Sequence, residues 1–259
     1  MNQDRTHQQH LDVVRERYAA IASGTTPSCC STDQPLELRE AARALGYTDR
    51  QLAALPAGAD LSLGCGNPLA TALLEPGQTV LDLGSGAGFD CFLAAQQVGP
   101  SGHVIGVDMT AEMIARSRAA AAAAGRTNVE FRLGELAHLP VADGTVDVIL
   151  SNCVVNLVPD KTQVFREAYR VLRPGGRLAI SDVVRIADFP PAVQASDASL
   201  CSCISGAASR DELAAALRAA GFADVRLVVN ERSGEFIKDW EPGSNAEQYV
   251  RAALIEARR

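Results

Sequence analysis

The side chains of this 259-residue chain with most chemistry to offer are its seven cysteines, at positions 29, 30, 65, 91, 153, 201 and 203. Seven is an odd number, and the chain is too long to need disulfide staples, so a secreted disulfide framework does not account for them. In a reducing compartment such thiols are core filler, metal ligands or redox groups. The spacing does not suit structural zinc: no CxxC pair answers a second, Cys201 and Cys203 stand too close, and His7, His10, His103 and His138 are scattered. Cys153 is the most suggestive thiol. It follows the apolar run VDVIL in the stretch SNCVVNLVPD, with the amides of Asn152 and Asn156 beside it and no histidine or other general base close in sequence. A nucleophile that loses a proton on attack needs such a base, whereas one with a free lone pair does not. Cys203, in CISGA, and Cys65, in LGCGNP, belong to distant segments. Three thiols from three segments can converge on one soft, thiophilic centre, for which thiolates are the preferred ligands. Cys91, inside a helical pattern, reads as a small core residue; Cys201 reads either as a spare surface thiol or as a further ligand.

A second constellation is the loop DLGSGAGFD at 82–90. Gly84, Gly86 and Gly88, with Ser85 between them, let backbone N–H groups approach a ligand that a β-carbon would push away. A dinucleotide fingerprint, G-x-G-x-x-G, would need glycine where Phe89 stands. The pattern instead resembles the first motif of class I S-adenosylmethionine-dependent methyltransferases, in which an acid precedes G-x-G-x-G. By that analogy Asp82 acts near the aminoacyl end of the cofactor, directly or through water. Asp108 ends the next strand, IGVD, where a carboxylate can accept from two ribose hydroxyls, and Met109 follows it. Gly134 and Glu135 follow the third strand, beside the expected adenine edge, and Asn152 follows the fourth.

These residues need a frame that brings strand ends together. From residue 78, short β-branched runs alternate with Ala-rich helical patterns: TVLDL, AGFDCFLAAQQVG, HVIGVD, TAEMIARSRAAAAAAG, NVEFRLGE, VDVILSN, KTQVFREAYRVL and GGRLAISDVV. That alternation predicts right-handed βαβ units and a doubly wound, mostly parallel α/β sheet of the Rossmann-like type. Helix-spaced apolar positions at 8–22 and 35–45 predict an N-terminal helical cap over 1–75. The cofactor core is expected over 76–185. Residues 186–259 are expected to supply a substrate-side segment and a small C-terminal completion: a helix capped by Ser209, a strand VRLVV and a final helix near 245–257.

A formal charge of −7 leaves no basic face for nucleic acid or anionic lipid. No run of about eighteen apolar residues is present, and the polar start MNQDRTHQQHLDVV is no signal peptide, so a cytoplasmic location is expected.

Taken together, LGCGNP (63–68), DLGSGAGFDCFLAA (82–95), SNCVVNLVPDK (151–161), CISGA (203–207) and EFIKDW (235–240) resemble the arsenite S-adenosylmethionine methyltransferases, over roughly residues 10–257. The resemblance implies methyl transfer from S-adenosylmethionine to trivalent arsenic, releasing S-adenosylhomocysteine and serving detoxification. It implies that Cys153 and Cys203 hold the arsenic, with Cys65 a further member of the thiol site. It also implies that Cys65 joins a disulfide relay with a cysteine of the N-terminal loop, either Cys29 or Cys30, reset by glutathione or thioredoxin. Two rivals share some of these residues: a methyltransferase acting on an organic acceptor such as a quinone ring carbon, and a non-catalytic thiol protein that sequesters arsenicals.

Overall fold

The apolar runs read as strands pair into one sheet. In the computed structural model, which describes residues 6–26, 35–61, 63–241 and 243–259, seven strands lie in the order β3-β2-β1-β4-β5-β7-β6. Before the sheet come the helices α1 (His7–Ala22), α2 (Pro35–Ala44), α3 (Asp49–Ala53) and α4 (Leu69–Ala72). The wound core then runs β1 (Thr79–Leu83), α5 (Phe89–Val98), β2 (His103–Asp108), α6 (Ala111–Ala123), β3 (Val129–Leu133), β4 (Val146–Asn152), α7 (Lys161–Val171) and β5 (Leu172–Arg185). After it come α8 (Pro191–Gln194), α9 (Asp197–Cys201), α10 (Arg210–Ala219), β6 (Ala223–Val229), α11 (Gly234–Ile237) and β7 (Val250–Arg258).

Strands β1 to β5 are parallel, and the order reverses between β1 and β4, which places the ligand crevice at their carboxyl ends. Burial on both faces explains their continuous apolar runs. One face packs Phe165, Val164 and Leu217 of α7 and α10 against Leu81, Ile149 and Leu178. The other packs Phe92, Leu93 and Ile114 of α5 and α6 against Val80, Val148 and Leu150. A third cluster sits above the strand ends and contains Val14, Leu200, Trp240 and four cysteines, Cys65, Cys153, Cys201 and Cys203.

The expected cap at Ser209 is present, with its hydroxyl on Glu212 N and the Glu212 carboxylate accepting from Ser209 N. The final helix near 245–257 is not. Its place is taken by a single 3₁₀ turn, Ala246–Gln248, and by β7, which pairs antiparallel with β5 on one side and β6 on the other. The composition RAALIEAR favours a helix locally. From Ala253 to Arg258, however, buried and more exposed positions alternate, so as a strand the segment sets Ala253, Ile255 and Ala257 on the core. Pairing on both sides satisfies its backbone, and tertiary context outweighs propensity. The C-terminal segment therefore completes the main sheet, through β6 and β7.

Candidate active site

Above the β1–β4 switch point lies a cavity of about 430 Å³. It is lined by the glycine loop (Gly84, Ser85, Gly86), the strand-end acids Asp82 and Asp108, Met109, Glu135, and Asn152 and Cys153. Helix α1 covers it with Leu11, Val14 and Tyr18, and Phe236 and Trp240 close the far wall. Among the contacts that hold α1 down are Arg15 with Glu135 at 3.1 Å, His10 with the Leu157 carbonyl at 3.0 Å, the Tyr18 hydroxyl donating to the Cys201 carbonyl at 3.1 Å, and Arg116 donating to the Ala22 carbonyl at 3.1 Å.

The glycine loop turns sharply out of β1. Gly84 has φ +70°, and a β-carbon there would lie 2.4 Å from the Val154 methyls, so only glycine lets the loop pass the Cys153 turn. The Asp108 carboxylate accepts from Gly86 N at 2.9 Å and Thr110 N at 2.8 Å, which fixes it at the end of β2 facing the cavity. Gly134 borders a shallower recess with Arg15 and Glu135, outside the main cavity lining.

Sequence reasoning missed Asp90 and Tyr47. Asp90, in the first turn of α5, is buried beside Asp82; it accepts from the Tyr47 hydroxyl at 2.7 Å and from Asn152 Nδ2 at 3.1 Å. Burial, the proximity of Asp90 and the nearby Asp108 push the Asp82 carboxyl well above the usual range, against the hydrogen bond it accepts from Cys91. Burial also lifts Asp90 to about 6, despite those hydrogen bonds. Two adjacent buried carboxylates invite a cation between them. The Ser85 hydroxyl is buried without a partner, and space is open where a Gly86 side chain would stand. A cradle that offers carboxylates to an ammonium and to ribose hydroxyls fits S-adenosylmethionine.

Asn152, read as a cofactor residue, is committed to protein partners. Its Oδ1 accepts from Cys65 N at 3.0 Å, and its Nδ2 donates to the Gly66 carbonyl at 2.9 Å as well as to Asp90. It therefore pins the LGCGNP loop to the end of β4. Gly66 makes the close approach possible, since a β-carbon there would lie 2.1 Å from Ser181 Oγ.

That loop delivers Cys65 to Cys153. Their sulfurs and a carboxylate oxygen of Asp182 lie within 4.8 Å of one another. Cys203 approaches Cys153 from the opposite segment, its Sγ donating to the Cys153 carbonyl at 2.8 Å. Both Cys153 (φ +60°) and Cys203 (φ +62°) adopt the left-handed conformation that glycine or asparagine takes more readily. Each costs roughly 1–3 kcal/mol, and strain of this kind gathers at functional sites. The Cys153 thiol is pushed well above its ordinary range by its hydrogen bonds with Cys203 and Cys65 and by burial, so the resting group is the neutral thiol. Cys201 is buried in the same cluster and is not a surface thiol. Cys91 is fully buried in α5, as expected, and Cys29 and Cys30 lie outside the described residues.

The family model described as a methyltransferase domain matches residues 74–221. An arsenite methyltransferase from Halobacterium salinarum is 52% identical over 268 aligned residues, covering 99% of this chain and 68% of that protein. The chain belongs to the arsenite methyltransferase family. The Aquipseudomonas alcaligenes arsenite methyltransferase is 47% identical over 65% of this chain, which spans half of that relative's length. Among solved structures, an arsenic(III) S-adenosylmethionine methyltransferase from Chlamydomonas reinhardtii is 31% identical, with a TM-score of 0.61, covering 84% of this chain and 72% of the other. The seven-stranded order of this methyltransferase is thus the expected class I fold. Among the described residues, no helix is long and apolar enough to cross a membrane.

Proposed function

We propose that this methyltransferase transfers methyl groups from S-adenosylmethionine to trivalent arsenic held by the sulfurs of Cys153 and Cys203, with Cys65 completing the thiol site. The observation that carries the reading is the meeting of three thiols from three distant segments against the methyl-donor cavity, two of them on strained left-handed backbone.

Asp82 and Asp90 hold the ammonium of the cofactor, Asp108 the ribose hydroxyls, and Glu135 with its neighbouring backbone borders the adenine. S-adenosylmethionine, when bound, supplies an electrophilic methyl on a sulfonium sulfur. Neutral thiols suit arsenite as a substrate: each S–H condenses with an As–OH, an S–As bond forms, and the thiol proton leaves with hydroxide as water. Cys153 and Cys203 then fix the arsenic with its lone pair free, and α1, Phe236 and Trp240 exclude water from the transfer. Most of the acceleration comes from alignment and exclusion of water, since no proton need be taken from the nucleophile.

Methyl transfer raises arsenic to the pentavalent state. Two thiols return it to the trivalent state by giving up two electrons and forming a disulfide, a role assigned to Cys65 with Cys29 or Cys30. Glutathione or thioredoxin then resets the pair by exchange. The outcome is detoxification in the cytoplasm.

The test is to incubate the enzyme with S-adenosylmethionine, glutathione and arsenite and to resolve arsenic species by chromatography with element-specific detection. Methylated arsenic from the wild type, and none from Cys153→Ser, is the expected result. Absence of methylated arsenic from well-folded enzyme that binds S-adenosylmethionine overturns the reading in favour of an organic acceptor.

A further inference from the structure

Asp182 has no part in the scheme above, yet its carboxylate stands within 4.8 Å of the Cys65 and Cys153 sulfurs. It lies in β5 one residue beyond the point where Ser181 pairs with Asn152, and it is 1% exposed. Its Oδ1 accepts from Asn156 Nδ2 and from Val183 N, both at 2.8 Å, and its Oδ2 faces Asn156 N at 3.3 Å. Donors on both oxygens favour the carboxylate over the acid. Lys161, whose own amine donates to the Val158 carbonyl at 3.2 Å, adds a cation that also favours the ionised form. Burial raises the group to about 6, which still leaves it an anion at neutral pH.

We propose that Asp182 is the counter-charge for the arsenic centre: its carboxylate stands within 4.8 Å of the Cys65 and Cys153 sulfurs, where positive charge arrives as the methyl group is transferred. This rests on the arsenic reading given above. In the transfer the arsenic lone pair forms the As–CH₃ bond. The S–CH₃ bond breaks, and its electron pair stays on sulfur, which becomes neutral. The positive charge of the sulfonium therefore passes to arsenic. Organic acceptors that lose a proton shed this charge to a base; arsenic in a thiolate cage has no proton to lose. A fixed anion beside that cage favours positive charge on arsenic over the same charge on the sulfonium sulfur before transfer, and this difference between the two sides of the step is the condition for lowering a barrier.

Asp182 could instead be only a tether that ties the Asn156 turn to β5, and the experiment separates the two roles. Asp182→Asn retains Oδ1 and so keeps its two shorter hydrogen bonds, while the charge is lost. In an enzyme that has first been shown to methylate arsenite, this variant is expected to lose about 100-fold in kcat. Its KM for S-adenosylmethionine and its stoichiometry for a trivalent arsenical should remain those of the wild type.

A second readout needs neither cofactor nor turnover. Alkylation of Cys153 by iodoacetate, an anion, is compared with alkylation by neutral iodoacetamide, the products being followed by peptide mass spectrometry. The rate ratio cancels the reactivity of the thiol itself. Removing the charge should raise the iodoacetate-to-iodoacetamide ratio by roughly fivefold, as expected for one unit charge a few ångströms away in a partly hydrated site. Asp182→Glu, which keeps the anion, should leave that ratio near the wild-type value and recover part of kcat.

An unchanged ratio in Asp182→Asn, or a kcat within about threefold of the wild type, overturns the proposal while leaving arsenic methylation itself intact. Should Asp182→Asn fail to fold, Asp182→Glu decides alone. A wild-type ratio with intermediate kcat supports the counter-charge, and loss of arsenical binding together with kcat leaves only the tether.

Discussion

The cofactor half and the thiol half of the cavity are built in opposite ways. On the cofactor side, three successive strand ends each deliver an acid, and the tight turns fall on glycines such as Gly84, so the backbone takes its unusual conformations cheaply. On the thiol side, Cys65, Cys153 and Cys203 come from the cap, the end of β4 and the turn after α9, and the left-handed positions fall on cysteines that gain nothing conformationally from being there. The first half is a general solution to holding a nucleoside with an ammonium tail. The second maintains strained backbone to bring sulfur atoms together, and the resting state alone gives no reason for that strain.

The sharpest break in this comparison is removal of a sulfur. Cys153→Ser and Cys203→Ser should each reduce arsenic methylation to less than about one hundredth of the wild-type rate, because a hydroxyl is a poor partner for a soft centre. Affinity for S-adenosylmethionine, measured by calorimetry, should be unchanged. Parallel loss of cofactor binding would mean that the two halves are not separable.

Next in size is the joint between the halves. Gly66→Ala forces a methyl against Ser181 Oγ and should lift the Cys65 loop off Asn152. An overpacking cost of about 1–3 kcal/mol is expected, with turnover reduced more than cofactor affinity. Adding Ser181→Ala removes the oxygen 2.1 Å away and leaves the nearest side-chain carbon at 3.1 Å, so the double variant should recover most of the loss. No recovery would show that Ser181 itself is needed at the site.

The two halves also differ in what the sequence discloses. The glycine loop, Asp82 and Asp108 are legible because each sits at a strand end whose position follows from local pattern. Asp90 is not, since one acid in the first turn of a helix is an ordinary stabilising choice, and only the fold sets it beside Asp82. Asp182 is hidden in the same way, inside a strand that reads as buried. The thiols are legible as motifs, but their left-handed backbone leaves no mark on the sequence. β7 is missed because alanine, glutamate and arginine favour a helix, while the pairing that overrules them lies more than sixty residues away in β5.

The cofactor side is sharpened by charge. Asp90→Asn should weaken S-adenosylmethionine binding by about tenfold or more, the weight of one charge-assisted hydrogen bond. On the proposed assignment the anionic form of Asp90 binds the ammonium, so affinity should fall as pH drops through about 6. In Asp90→Asn that fall should be much shallower. A fall of equal size in the variant would assign the titration to another group.

The smallest effect concerns the free protein. Asp90 and Asp182 both have folded-state values raised to about 6, so the folded chain binds these protons more tightly than the unfolded one. Their stabilising contribution is full below the unfolded value and is lost as pH rises through 6. Going down from pH 7.5 to 5.5, the two together should add on the order of 1–2 kcal/mol, a rise of a few degrees in Tm. Glu130, Glu167 and Glu212, held below the usual range by their arginine or backbone partners, oppose this only at lower pH, where they begin to protonate. Saturating S-adenosylmethionine should reduce the rise, because an ammonium beside Asp90 favours the anion and cancels its share while leaving that of Asp182. Scanning calorimetry of free and cofactor-bound enzyme at the two pH values measures this directly. A rise of equal size in both would mean that Asp90 does not hold the ammonium.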